Sequence, residues 1–253
     1  MADFFSDPKT AAQLSFLLEN IPFAIWETIY STVIATVFAY LIGLPLGVIL
    51  VTGAKDGIRP LPAPLMQALN VVVNLLRSVP FLILMVLVMP LSRIILGTTI
   101  GTPGILVPLT VAAFPFAARL VESSIREMDK GLIEAAQSMG CSTLQIVWKV
   151  MLPESLPSLL SGFLTAFITI LGYGAMAGAI GGGGLGKIAI NYGYNRYNYA
   201  VMLVAVALIV ILVQIFQSIG SRLAARLDKR LASGGRKAFK KQIRRDRRAP
   251  GAM

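Results

Sequence analysis

Residues 119–160 of the 253-residue chain read RLVESSIREMDKGLIEAAQSMGCSTLQIVWKVMLPESLPSLL, a charged, patterned segment between long apolar runs. Helix-forming residues fill 132–139, Gly140 suits the left-handed conformation that ends a helix, and Ser142 or Thr143 can cap the next helix. Pro153 lacks an amide hydrogen and restricts the residue before it, so the second helix stops there. The segment is therefore predicted to form two short helices joined by a glycine corner.

The composition of the chain is that of an integral membrane protein, with 56% hydrophobic and 14% charged residues and a mean hydropathy of +0.74. Three uncharged runs exceed the roughly 20 residues needed to cross a bilayer: 28–54, 155–186 and 197–221. Two weaker segments, 70–92 with Arg77 inside it and 104–118 with two prolines, are also interpreted as spans, because neighbouring helices can cover an interrupted backbone. The prediction is an all-α integral membrane protein with five transmembrane helices.

The distribution of Lys and Arg predicts the orientation, because cytoplasmic loops are enriched in cations. With the N-terminus outside, the inner segments hold 18 of the 23 cations and the outer segments hold four, while Arg77 lies within a span. The N-terminus is therefore predicted outside and the C-terminus inside. This assignment gives an extracytoplasmic segment at 1–20, a transmembrane domain at 21–221 with cytoplasmic helices at 122–153, and a basic cytoplasmic tail at 222–253.

The glycine-rich stretch 179–190, AIGGGGLGKIAI, matches parts of two nucleotide-binding patterns. Ile188 stands where a P-loop needs a hydroxyl for magnesium, and the predicted orientation puts the stretch outside, away from cytoplasmic ATP. We therefore interpret 181–195 as a turn between spans, with hinge motion or close backbone packing near an outer gate as a further hypothesis.

The residue inventory argues against enzymatic chemistry. The chain has no histidine and one cysteine, Cys141, so the usual zinc and transition-metal ligand sets cannot be assembled. Cys-His and Ser-His catalysis are excluded for the same reason, and no pair of acids lies inside a predicted span. The protein is predicted not to be an enzyme and to hold no cofactor of its own.

The two-helix segment also carries a motif. Its matching residues, at the spacing E-A-A-x3-G-x9-I-x-L-P with Val for Ile, are Glu134, Ala135, Ala136, Gly140, Val150, Leu152 and Pro153. In this the chain resembles the ABC importer permeases, which implies a type I permease fold and a coupling helix that fits a cleft on a separate ATPase subunit, the subunit that binds ATP and magnesium. The alanines permit close approach, Gly140 sets the angle between the helices, and Glu134 offers a charge to a cation or to a local capping bond.

Other segments resemble one branch of that family, the methionine ABC transporter permeases. They are RSVPF at 77–81, VPLT at 107–110, AFPF at 113–116, and GYGAM at 172–176 followed by the glycine stretch. The resemblance covers about 21–230 and implies a homodimer in the bacterial inner membrane, two ATPase subunits and an extracytoplasmic solute-binding lipoprotein. It implies methionine as substrate, with another small amino acid or a dipeptide as alternative. An autonomous secondary transporter and a membrane scaffold or receptor remain the alternatives from other classes.

Three features carry competing interpretations. Tyr173 and Met176 share a helix face at i and i+3 and suit a methionine side chain, or they are plain helix packing. Arg77 meets a substrate carboxylate in the pathway, or it bonds to carbonyls freed near Pro80 in a structural role. The tail from 222 holds 12 cations and two acids, which predicts an anchor on anionic membrane lipids rather than a nucleic-acid site.

Overall fold

A computed structural model describes the backbone of residues 8–227 and the side chains of residues 19–224; most of the predicted basic tail lies outside these ranges. The helices are α1 (Pro8–Thr52), α2 (Ala63–Ser78), α3 (Phe81–Leu96), α4 (Gly101–Arg126), α5 (Lys130–Ser138), α6 (Thr143–Ile146), α7 (Leu152–Glu154), α8 (Leu156–Ala177), α9 (Gly184–Lys187) and α10 (Tyr199–Leu227). Two π-helical stretches, Val147–Met151 and Ile188–Tyr194, continue α6 and α9, and a 3-10 turn, Gly178–Ile180, follows α8. No strand occurs between residues 8 and 227, and the predicted all-α class is confirmed.

Within the described part of the chain, four helical segments are long and apolar enough to cross a membrane: Glu19–Thr52, Gly101–Arg126, Leu156–Ile180 and Tyr199–Ala224. The predicted span at 70–92 is not one continuous helix, because α2 and α3 meet at an angle of 110°. Pro80 causes the break, since it disfavours a helical conformation at Val79, which is extended with φ −74° and ψ 129°. The described residues contain five spans if this bent pair crosses as one. The outside position of the N-terminus stays a prediction.

Helix α4 lies at the centre of the bundle and packs against α1, α3 and α8. Half of its membrane-spanning part is buried, against 17% in α10. Helix α1 approaches α4 closely through Gly43 and Gly47, where a Cβ atom on Gly47 would lie 2.6 Å from the carbonyl oxygen of Ala118. Small residues four apart let two helix backbones approach in this way, so the contact between α1 and α4 depends on both glycines.

Candidate coupling site and translocation pathway

The corner between α5 and α6 is a Schellman motif. The amides of Gly140 and Cys141 donate to the carbonyls of Gln137 at 2.9 Å and Ala136 at 3.1 Å, the pair of bonds that defines this helix end. Gly140 has φ +75°, in the left-handed region where a side chain costs free energy. The sequence-based prediction of a glycine corner is confirmed.

The second helix of the segment begins at Ser142 with a capping box. The Ser142 amide donates to Gln145 Oε1 at 2.8 Å, and the Gln145 amide donates to Ser142 Oγ at 3.4 Å. The helix continues through the π-helical stretch Val147–Met151 and ends with α7 at Glu154, one residue beyond the predicted stop. The predicted pair of short helices is therefore confirmed, but the predicted stop at Pro153 is wrong, because Leu152 is helical and the break comes at Ser155.

The motif residues divide between the interior and the surface. Ala136 is only 2% exposed and packs in a cluster with Val121 and Ile125 of α4 and with Met151. Leu152 is half-buried, and the exposed members of the motif are Glu134, Ala135, Gly140 and Pro153. Ala136 therefore fixes α5 to the end of α4, while the exposed members of the motif are presented outward.

Apolar side chains that sequence analysis missed flank this corner. Leu132, Met139 and Leu144 are 40%, 76% and 71% exposed, and we call these three residues the corner face. Exposed apolar side chains around a structured turn are typical of a protein-binding surface. Met139 and Leu144, one and four residues from Gly140, lie next to the predicted corner, and that proximity is the signal that could have identified them; Leu132 lies about two helical turns before the corner.

A cavity of about 470 Å³ lies between the loop after α1 and helix α5. Glu134 lines it together with Asp56 and Lys130, whose carboxylate Oδ2 and Nζ atoms lie 3.9 Å apart. Among the residues whose side chains are described, Glu134 makes no ion pair. Its carboxylate is therefore free to meet a cation from outside the chain.

The predicted pathway residues lie in different surroundings. The rings of Tyr173 and Phe81 stack with centroids 4.0 Å apart and planes 8° apart, so Tyr173 joins α8 to the start of α3. Met176, one turn later, is 50% exposed. Arg77 is exposed in the last turn of α2, where the helix dipole favours a cation, and it makes no ion pair within residues 19–224.

A polar cluster that sequence analysis missed joins α1, α4 and α9, near the end of α4 opposite to the coupling segment. Glu27 accepts hydrogen bonds from Thr102 Oγ1 at 2.6 Å and from the Gly184 amide at 2.9 Å. Thr28 Oγ1 accepts from the Leu185 amide at 2.9 Å. We call these contacts the Glu27 clamp. The bonds join residues 75 and 157 positions apart, so no local pattern marks them.

The clamp changes the interpretation of the glycine-rich stretch. Much of the predicted turn at 181–195 is helical, in α9 and the π-helical stretch that follows. A Cβ atom on Gly183 would overlap the Thr102 hydroxyl, and Gly184 has φ +75°. These glycines serve close packing against α1 and α4, which favours that hypothesis over free hinge motion.

A second missed cluster surrounds Arg119 of α4. Its Nη1 lies 2.6 Å from Glu122 Oε2, and its Nη2 donates to the side-chain carbonyls of Asn70 at 2.8 Å and Asn74 at 3.0 Å. Both asparagines belong to α2. Sequence analysis used Arg119 only as one of the cations on the predicted cytoplasmic side. In the fold it links α2 to α4 through hydrogen bonds to the two asparagines.

The described residues form a bundle of apolar helices with an exposed helical corner at one end of α4. Residues 43–233 match the family described as binding-protein-dependent transport system inner membrane component, and the chain belongs to that family. It is an inner-membrane permease component of an ABC transporter.

Relatives within the family carry more specific names. The chain is 51% identical over 207 residues to the probable D-methionine transport system permease protein MetI of Vibrio cholerae, covering 82% of this chain and 92% of that protein. It is 47% identical over 159 residues to the methionine import system permease protein MetP of Bacillus subtilis, covering 63% of this chain and 72% of that protein.

Solved structures agree with this assignment. The MetNI methionine ABC transporter, in an inward-facing conformation, is similar with a TM-score of 0.81 and 43% identity, covering 83% of this chain and 97% of that chain. An amino acid ABC transporter crystallised with histidines has a TM-score of 0.69 at 18% identity, covering 85% of this chain and 97% of that chain, which shows a shared fold. The prediction of a type I ABC importer permease fold is confirmed.

Proposed function

We propose that this chain is the membrane-spanning subunit of an ATP-driven importer of methionine. The observation that carries the proposal is the identity of 51% over 92% of a relative named for D-methionine transport, together with the structural match to a methionine ABC transporter at 43% identity. Another small amino acid or a dipeptide is the alternative substrate, because a solute-binding protein can supply much of the selectivity.

The proposed assembly contains two copies of this chain, two ATPase subunits and an extracytoplasmic solute-binding protein. The chain has few spans and no internal repeat, so a closed pathway is most economically built between two copies about a twofold axis. ATP and magnesium bind the ATPase subunits in this proposal. The chain itself then supplies the pathway and the contact that couples the pathway to ATP hydrolysis.

Coupling is proposed to occur at the corner between α5 and α6. The corner face offers an exposed apolar surface of Leu132, Met139 and Leu144 that suits a cleft on the ATPase. Glu134, unpaired among the described side chains, is available to a cation of the ATPase. Because Ala136 is buried against α4, a displacement of the corner is carried to the central helix of the bundle.

The substrate is proposed to pass the α3 and α8 side of the bundle. Met176 offers an exposed thioether there, and the stacked Tyr173 and Phe81 rings lie one turn away. Sulfur and aromatic groups attract a methionine side chain weakly. Arg77 is exposed at the bend between α2 and α3. Two roles are to be tested there: contact with the substrate carboxylate, and a structural role in bonding to carbonyls freed near Pro80.

The experiment is ATP-dependent uptake of radiolabelled L-methionine and D-methionine into vesicles that contain this chain, its ATPase and its binding protein. Gly140→Pro removes the N–H that donates a hydrogen bond to the Gln137 carbonyl, and the proline ring forbids φ +75°. Gly140→Asn is the matched control, because asparagine tolerates the left-handed region. We expect assembled Gly140→Pro to lose uptake and Gly140→Asn to retain most of it.

Failure of the parent complex to take up methionine, with its ATPase stimulated by a binding protein loaded with another solute, would reject the substrate and keep the permease. Uptake that persists without the ATPase would reject the ATP-driven mechanism in favour of a secondary transporter. Uptake of no solute under any condition would reject transport and support the alternative of a membrane scaffold or receptor.

A further inference from the structure

An apolar groove of about 670 Å³ runs along the last part of α1. The α1–α2 loop closes one side, and α6 with the π-helical stretch Val147–Met151 closes the other. Its volume lies within the range of about 300 to 1,000 Å³ that is typical of ligand sites. Helix α1 lines it from Tyr40 to Thr52, and Trp148 lines the opposite wall. Leu144 of the corner face also lines this wall, so the groove borders the surface proposed to meet the ATPase. Among the described residues that line the groove, Arg59 is the only charged one.

The groove has the length and position of one lipid chain. The stretch from Tyr40 to Thr52 rises about 18 Å at 1.5 Å per residue, and one leaflet of the hydrocarbon core is about 15 Å thick. Thr52 is also the last residue of the membrane-crossing segment Glu19–Thr52. The groove therefore opens at the membrane boundary, and the exposed Trp148, 67% accessible, is a residue type enriched there.

Arg59 lies at the end of the groove that meets the boundary. Its amide donates to the Thr52 carbonyl at 3.0 Å, and the Leu61 amide donates to Gly53 at 3.0 Å, so the loop folds back onto the end of α1. The Arg59 side chain is exposed and makes no ion pair within the described part of the chain. A free guanidinium at this level suits a phosphate group, which it can bind with two parallel hydrogen bonds.

We infer that the groove holds one acyl chain of an anionic phospholipid whose headgroup phosphate pairs with Arg59. A net negative headgroup such as phosphatidylglycerol is favoured over phosphatidylcholine, because the described residues that line the groove include no carboxylate to meet a choline cation. The inference depends neither on the predicted tail anchor at 222–253 nor on which solute the protein transports.

The two tryptophans of the chain allow a direct test. Trp26→Phe leaves Trp148 in the groove as the single fluorophore, and Trp148→Phe leaves Trp26, which is 60% exposed elsewhere on α1. The full chain is reconstituted in vesicles with equal mole fractions of brominated phosphatidylglycerol or brominated phosphatidylcholine, whose bromine atoms quench nearby indoles. We expect brominated phosphatidylglycerol to quench Trp148 about five-fold more effectively than brominated phosphatidylcholine does, which corresponds to about 1 kcal/mol. Trp26 should be quenched equally by the two lipids.

Arg59→Gln in the Trp26→Phe background should abolish the preference. Lys55→Gln, an exposed cation of the same loop that does not line the groove, should retain it. Equal quenching by the two lipids, or a preference that survives Arg59→Gln, would refute the anionic-lipid site. Protection of Trp148 from both lipids would mean that protein covers the groove and would refute it too.

A second measurement avoids the tryptophan variants. Native mass spectrometry of the complete complex should show at least one phosphatidylglycerol per copy retained in the parent and lost in Arg59→Gln. Equal retention in both would overturn the inference.

Discussion

Removal of the Glu27 carboxylate should destabilise the fold, because its two hydrogen bonds join α1 to α4 and to α9. Glu27→Ala deletes the acceptor of two hydrogen bonds and leaves the buried Thr102 hydroxyl, 1% exposed, and the Gly184 amide without it. Hydrogen bonds to a charged group contribute about 1.5 to 3 kcal/mol each. We take the lower value because Glu27 is half-buried, which gives a loss of about 3 kcal/mol in the free energy of unfolding.

The assay is thermal unfolding of the detergent-solubilised protein, followed by its monodisperse fraction on size exclusion. A loss of about 3 kcal/mol corresponds to a fall in Tm of roughly 6 to 12 °C for a chain of this size. Glu27→Gln should lower Tm by about half as much, because the amide oxygen still accepts from Gly184 and neutral hydrogen bonds are about half as strong. Glu19→Ala is the control, since Glu19 is exposed on the same helix.

A double-mutant cycle with Thr102→Val isolates the Glu27–Thr102 bond. We expect a coupling free energy of about 1.5 kcal/mol, because the two side chains share one hydrogen bond of 2.6 Å. The reasoning is wrong if Glu27→Ala unfolds within about 2 °C of Glu19→Ala, or if the double variant shows no coupling.

Three further predictions concern packing and the pathway. Gly47→Ala should lower the free energy of unfolding by about 1 to 3 kcal/mol, because its Cβ atom would meet Ala118 of α4. Gly172→Ala is the control and should be neutral in the same thermal assay, since no atom lies within 4 Å of the added carbon. Equal effects of the two substitutions would contradict the close α1–α4 contact. Met176→Ala should raise the methionine concentration for half-maximal uptake with assembly unchanged, and identical uptake kinetics would count against a pathway role. Arg77→Gln should retain uptake if Arg77 is structural, and lost uptake in an assembled complex would establish the substrate contact instead.

The coupling corner could be predicted from the sequence because its determinants are local. A capping residue and a left-handed glycine act within a few residues of one another, and the structure has a cap at Ser142 and φ +75° at Gly140 where the pattern places them. Pro153 does not stop the second helix, because Leu152 keeps a helical conformation and the helix runs on to Glu154. The apolar runs likewise predict membrane-crossing helices, because the requirement for about 20 apolar residues is a property of each segment alone.

The tertiary structure alone decided which residues meet across the bundle. Glu27 meets Gly184 across 157 positions of sequence, Arg119 meets Asn70 across 49, and Tyr173 stacks on Phe81. The 110° bend between α2 and α3 also changes a segment that hydropathy describes as a single span. Hydropathy and capping report the preference of each segment for lipid or water and for helix. The choice of partner across the bundle depends on backbone approach and on side-chain geometry between distant segments, which only the packed fold specifies.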